Sequence, residues 1–325
     1  MDAISLSATL EKLDSYIDLQ EQKFIVPHGF RYPGFYVAMA ATIKRLNFPR
    51  ECVVSPNDGG EFLGYSSAIA LSKALWGVDD YQHRRQNLGS NYSALIHIDN
   101  EEAVNSASEC ITSCIKRLAG AKGNAQGIQN LTNVVGELHD NVWSHGLSSG
   151  FSMAQKWKKA KSEDHFFEFA VADTGMGFLD ELRRADIQGI ADEKDAIEWC
   201  ITKGNTTKKP ADDWAQSVPR DIVGGSPFGG AIRTKHKENN HQGLGLAKLV
   251  DLVLHYKGDL CLASGSFLLK LNNKGVKTWR QLPSPWKGVA ISCRFLESHL
   301  VADDTKAEKR QEIQELMSQL AGEKS

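Results

Sequence analysis

Residues 136–146 read G-E-L-H-D-N-V-W-S-H-G, and their spacing decides how the second half of the chain is read. Ile128, Leu131, Val135, Leu138 and Val142 recur at intervals of three and four, which predicts a helix over residues 126–145 with one apolar face. On that helix Glu137, Asn141 and His145 fall four apart and share a polar face. The apolar side anchors the helix, so the polar row can look into a cleft. An amide oxygen is a good hard-cation ligand, and Mg²⁺ usually keeps several waters while taking phosphate oxygens, so Asn141 is the candidate metal ligand. Glu137, one turn away, is placed to orient or deprotonate a hydroxyl nucleophile attacking a phosphoryl group. Asp140 could assist it through a metal-bound water or by hydrogen bonding near the glutamate.

Two glycine clusters follow. HFFEFAVAD over 165–173 predicts a strand ending in an acid, and it runs into Asp173-Thr174-Gly175-Met176-Gly177-Phe178. A carboxylate there accepts hydrogen bonds only, as the exocyclic amine of adenine requires, and the glycines let the backbone pass close to a ring. Further on, Gln242-Gly243-Leu244-Gly245-Leu246 immediately precedes the predicted helix LGLAKLVDLVLHYKG. Glycines at a helix start expose unpaired N–H groups suited to phosphate oxygens. Neither cluster is a G-x-x-x-x-G-K-[ST] loop or a strand-following G-x-G-x-x-G, so P-loop and Rossmann readings fail.

Helix face, strand end and helix start occur in the order, and on the elements, that the chemistry needs. In this the chain resembles the GHKL superfamily of ATP-binding domains (DNA gyrase, Hsp90, sensor histidine kinases, MutL) over residues 123–297. The resemblance implies a histidine kinase-like ATPase domain of the Bergerat type, a two-layer α/β sandwich with a mixed sheet, binding ATP and Mg²⁺. It makes Glu137 the general base and Asn141 the Mg²⁺ ligand. His145 and Gly146 end the motif as in the anti-sigma-factor serine kinases, while the Glu-x-x-Asp-Asn order at 137–141 also looks like the gyrase type. Asp173 matches the adenine-binding aspartate, with Gly175, Met176 and Gly177 in its turn. Gly204-Asn205-Thr206 looks like the entry to an ATP lid, and Gly243, Leu244, Gly245 and Leu246 match the phosphate-side segment. Val142 departs from the family's usual alanine. The absence of a helical hairpin with a phosphoacceptor histidine, and of room downstream for a transducer domain, argues against a sensor kinase and against DNA-turnover machinery. The expected function is Mg²⁺-dependent ATP hydrolysis or γ-phosphate transfer to a protein; the alternative is an ATP-gated protein-interaction module with little or no turnover.

Outward from the motifs, residues 1–120 are expected to form a smaller α/β unit that regulates or binds a partner, residues 121–300 the ATP-binding unit, and residues 301–325 an amphipathic helix and tail. In the first unit, helices are predicted over 35–46 and 66–77, a buried strand over 92–98, and a helix starting at Asp99. FSMAQKWKKAKSED (151–164) reads as a surface crossing, residues 192–202 as a helix, and the polar segment 204–242 as a mobile loop. GDLCLASGSFLLKLN reads as a hairpin, followed by a tryptophan-containing loop and a last strand over 288–295.

The chain has 325 residues, 41% of them hydrophobic and 24% charged, with a formal net charge of -2. That is globular composition without a basic field, so nucleic acid is not indicated. No stretch reaches the length of a bilayer span and no secretory pattern opens the chain, so a cytoplasmic protein is expected. Of the six cysteines Cys110 and Cys114 could share a helix face, but no other pair has metal-ligand spacing, so they read as buried free thiols rather than a zinc site or disulfides. A protein partner or substrate is expected, and a homodimer through the N-terminal unit or the terminal helix stays open.

Overall fold

The computed structural model describes residues 3–79, 81–144, 148–205 and 245–302. The chain forms α1 (Leu6–Glu11), β1 (Ile17–Asp18), β2 (Lys23–Ile25), α2 (Pro33–Leu46), β3 (Val53–Val54), α3 (Glu61–Ala68), α4 (Leu71–Trp76), β4 (Ile96–Ile98) and α5 (Glu101–Leu118). It continues with α6 (Gln126–Ser144), β5 (Gly150–Lys158), β6 (His165–Asp173), α7 (Gly177–Arg184), α8 (Glu193–Ile201), α9 (Gly245–His255), β7 (Asp259–Leu271), β8 (Lys277–Leu296) and α10 (Glu297–Leu300).

The architecture is α/β in two units. A small sheet runs β1-β2-β3 and a large one β4-β5-β6-β8-β7. The large sheet, expected to be mixed, is antiparallel in every pairing, because β5–β6 and β7–β8 are consecutive hairpins. A parallel strand pair, β2 with β3, lies in the small sheet.

Alternation along β6 divides the large sheet into two working faces. Phe167, Phe169 and Val171 point to one core with Leu131, Val135, Leu138 and Val142 of α6, the apolar side of α5, and Leu249 and Val253 of α9. Ala170 and Ala172, with Ala263 and Ala290 of the neighbouring strands, point to a second core filled by α1 and α2. These small residues let α2 lie close, and Pro33 through Ile43 of that helix are all buried. The N-terminal unit therefore adds a third layer to what was expected as a two-layer sandwich. Residue 120, the expected break, falls between α5 and α6, which share one core, while β4 pairs with β5.

Several local expectations change for identifiable reasons. The single helix over 66–77 breaks into α3 and α4 at Ala70, whose φ is +58°, and the Ile69 carbonyl accepts from the Leu95 N–H at 2.8 Å. The cap of α5 is Asn100, not Asp99, and it accepts from the Ala103 N–H. The supposed surface crossing is β5, whose first six residues are buried because helical layers cover both sides of the sheet. Its Lys156 reaches the edge, where Nζ donates to the Leu118 carbonyl and Glu297. The expected hairpin and loop are two long strands, with a register shift at Ser264–Gly265 and both loop tryptophans, Trp279 and Trp286, inside β8.

Strand β6, helix α8 and the start of α2 lie close to where they were read. Cys52, Cys114 and Cys293 are buried free thiols, whereas Cys110 is exposed. Among the described residues, no helix is long and apolar enough to cross a membrane. Most of the expected mobile loop, and the C-terminal amphipathic helix, lie outside the described residues.

Candidate functional site

Helix α6 is fixed by what its inward side touches. Beneath it His139, fully buried, has its Nδ1 3.0 Å from Ser108 Oγ on α5 and its Nε2 2.7 Å from Ser152 Oγ on β5. Burial pushes the His139 imidazole down to about 3, so it is a neutral strut. This residue sits inside the motif yet faces away from the polar row. Two residues beyond Glu137 is roughly the far side of a helix, which is the only sequence signal for its role.

On the other side stand Glu137, 6% exposed, with Asp140 and Asn141, both half-buried. Helix α9 begins directly against them. A Cβ on Gly245 would lie 3.1 Å from Glu137 Oε2 and 3.7 Å from Asn141 Nδ2, so the helix start packs closely against both side chains and a larger residue would crowd Glu137. Leu246 turns inward and is buried. Three residues into α9, Lys248 donates from Nζ to Glu137 Oε1 at 2.5 Å. Sequence reasoning missed this lysine because its partner lies on another helix.

Asp173 closes the arrangement from the end of β6. It pairs in register with Gly150, and a Cβ on Gly150 would meet Val142 Cγ1 at 2.9 Å and Asp173 Cβ at 3.2 Å. One glycine thus separates the Asp173 side chain from the neighbour of Asn141. Asp173 is 7% exposed, and its Oδ1 accepts from the Gly175 N–H at 2.8 Å and the Val289 N–H at 3.3 Å. Burial pushes the carboxyl up to about 7, against the pull of those two donors. Gly288, at φ +98°, leaves room for this turn, since its Cβ would collide with Asp173 Oδ1 and the Gly175 nitrogen.

Past Met176 the chain turns through Gly177, at φ +77°, into α7, where the Phe178 N–H donates to Ser264 Oγ at 3.0 Å. A cavity of about 260 Å³ borders this turn, lined by Met176, Gly177, Phe178, Arg183, Ser264 and Trp286 among others.

The structure therefore brings Glu137, Asp140, Asn141 and Gly245 to one place, with Asp173, Gly175, Met176 and Gly177 adjoining. His145, Gly243, Leu244 and Thr206 lie outside the described residues. Among the described residues, no group of three or more His, Cys, Asp or Glu side chains could hold a metal ion. No family model, no curated protein and no solved structure matches this chain.

Proposed function

We propose that the cleft between α6, the Asp173 turn and the start of α9 binds ATP with Mg²⁺, as in the GHKL superfamily, and that Glu137 is the base for turnover. The observation that carries this reading is convergence. Three motifs separated by tens of residues meet through two glycines, Gly150 between Val142 and Asp173, and Gly245 against Glu137 and Asn141.

The chemistry follows from the donors and acceptors present. A buried carboxylate with no cation among its partners in the described residues is poorly solvated, and an adenine amine would supply the donor that favours its ionised form. The start of α9 offers backbone N–H groups to phosphate oxygens. Mg²⁺ needs few protein ligands when water and phosphates fill its octahedron, so the Asn141 amide beside that helix start fits the ion without a carboxylate cluster. Bound there, the ion would neutralise charge on the terminal phosphates. Glu137 would then accept the proton of an attacking water, or of a partner's hydroxyl.

The test is titration of the full chain with ATP and Mg²⁺, followed by counting of free phosphate and phosphoprotein. Asp173→Ala should weaken ATP binding by about a hundredfold, the scale of a lost charge-assisted hydrogen bond plus misfit. Glu137→Ala should keep binding within about threefold and abolish turnover. Full ATP affinity in Asp173→Ala would overturn the site; surviving turnover in Glu137→Ala would overturn the base. The second reading, an ATP-gated interaction module with slow turnover, is favoured by the ion pair that holds Glu137 to Lys248. Under it, association with a partner changes with ATP while phosphate release stays near background.

A further inference from the structure

We infer that Lys248 is a specificity-determining residue of this cleft, a cation that exchanges Glu137 for the terminal phosphate of a nucleoside triphosphate. The inference rests on the nucleotide reading above and assigns the end of the nucleotide that this lysine reads.

The two partners of the ion pair are unlike. The Glu137 side chain is 6% exposed and sits on a helix pinned by the His139 strut, whereas the Lys248 side chain is 47% exposed. The acid is therefore the fixed member and the lysine the movable one. An ammonium on a four-carbon stem can turn to a new anion by rotamer changes alone. Lys248 also lies in the first turn of α9, where the helix dipole has the same sign as its charge. Both favour an anion beside the start of α9, where Gly245 packs against Glu137 and Asn141.

Position along the nucleotide follows from the neighbours. Asp173 marks the base end, while Glu137 marks the end where a bond to phosphorus would break. A cation on Glu137 Oε1 is thus next to the terminal phosphate and remote from the purine. A diphosphate lacks the group it would meet, so Lys248 should separate ATP from ADP. The exchange would also release Glu137 from its counter-charge when the phosphate to be attacked arrives. Because the pair joins α6 to α9, the same step would loosen one tie between those helices.

The experiment is calorimetric titration of the full chain with ATP and with ADP, each with Mg²⁺, for the parent protein, Lys248→Met, Lys248→Arg and Glu137→Gln. Lys248→Met should weaken ATP binding about tenfold and ADP binding less than about twofold, the scale of one charge-assisted contact. Lys248→Arg should restore ATP affinity to within about threefold, since the charge is kept. Glu137→Gln should tighten ATP binding by about threefold, because the competing carboxylate is gone. If Lys248→Met fails to fold, Lys248→Gln carries the same comparison. Equal losses for ATP and ADP, or no loss for either, would overturn the role of Lys248 and leave the site standing. A parent protein that binds neither nucleotide would overturn the site itself and this inference with it.

Discussion

Strand β6 carries two buried carboxylates, and the protein treats them differently. Glu168, 2% exposed, faces the N-terminal unit; Asp173, five residues on, faces α6. Glu168 Oε2 accepts two bonds from the Arg294 guanidinium at 2.9 and 2.6 Å, and Oε1 accepts from the Gly34 N–H at the start of α2. Arg294 in turn lies over the Tyr32 ring at 3.9 Å and the Trp157 ring at 5.1 Å. Burial pushes the Glu168 carboxyl up while Arg294 and Gly34 pull it down. Among the described residues, Asp173 has two backbone N–H donors for the same task. One end of the strand is a closed clamp between layers. The other is a desolvated acid with unused accepting capacity, an arrangement expected of a group that meets a ligand.

The largest way to break this comparison is at the clamp. Arg294→Met should destabilise the protein by about 3–5 kcal/mol at pH 8, the cost of leaving a buried charge without its partner. Adding Glu168→Gln should recover much of that loss, because no buried charge is left to stabilise. Denaturant midpoints of the two variants measure it. Equal stability of the single and double variants would mean that Glu168 is not held as an ion.

Asp173 sharpens the comparison through pH. Its folded carboxyl titrates near 7, above the 3.8 of a free aspartate. Below pH 4 both folded and unfolded chains hold the proton and the group costs nothing. Between pH 4 and 7 the unfolded chain loses the proton while the folded chain keeps it, so stability falls as pH rises and levels off above 7. The full effect is of order 4 kcal/mol. Asp173→Asn should therefore be more stable than the parent at pH 8, with an advantage that shrinks towards pH 4, while losing ATP affinity. Thermal melts across that range check it; an advantage independent of pH would remove the titration from the explanation.

How much of this could be read beforehand depends on where the partners lie. Helix α6 was legible because its apolar period is complete within one segment, and β6 because its last residue is an acid after eight strand-forming positions. Strand β5 was not, because its Gln155 and Lys156 read as surface until two flanking layers are known. The clamp needs Arg294 to meet Glu168 across neighbouring strands, and the Lys248 contact needs α9 to dock on α6. Neither pairing leaves a trace in local spacing. His139 was hidden differently, since it lies within the very motif that drew notice to its neighbours, and only Ser108 and Ser152 reveal that it faces inward.

The smallest expected effect isolates the turn beyond Asp173 from its charge. Gly177 has no Cβ, which would stand 2.9 Å from Ser264 Oγ, and this space lets that hydroxyl accept the Phe178 N–H at the start of α7. Ser264→Ala removes a buried acceptor from the Phe178 N–H, so the loss should be about 1–3 kcal/mol. It should be the same at pH 5 and pH 8, because no ionisable group is touched. ATP affinity should fall by about threefold as the Gly175–Gly177 segment loosens around the carboxylate. A pH-dependent loss would show that the hydroxyl stabilises Asp173 itself, and the distinction between a rigid turn and a titrating acid would have to be redrawn.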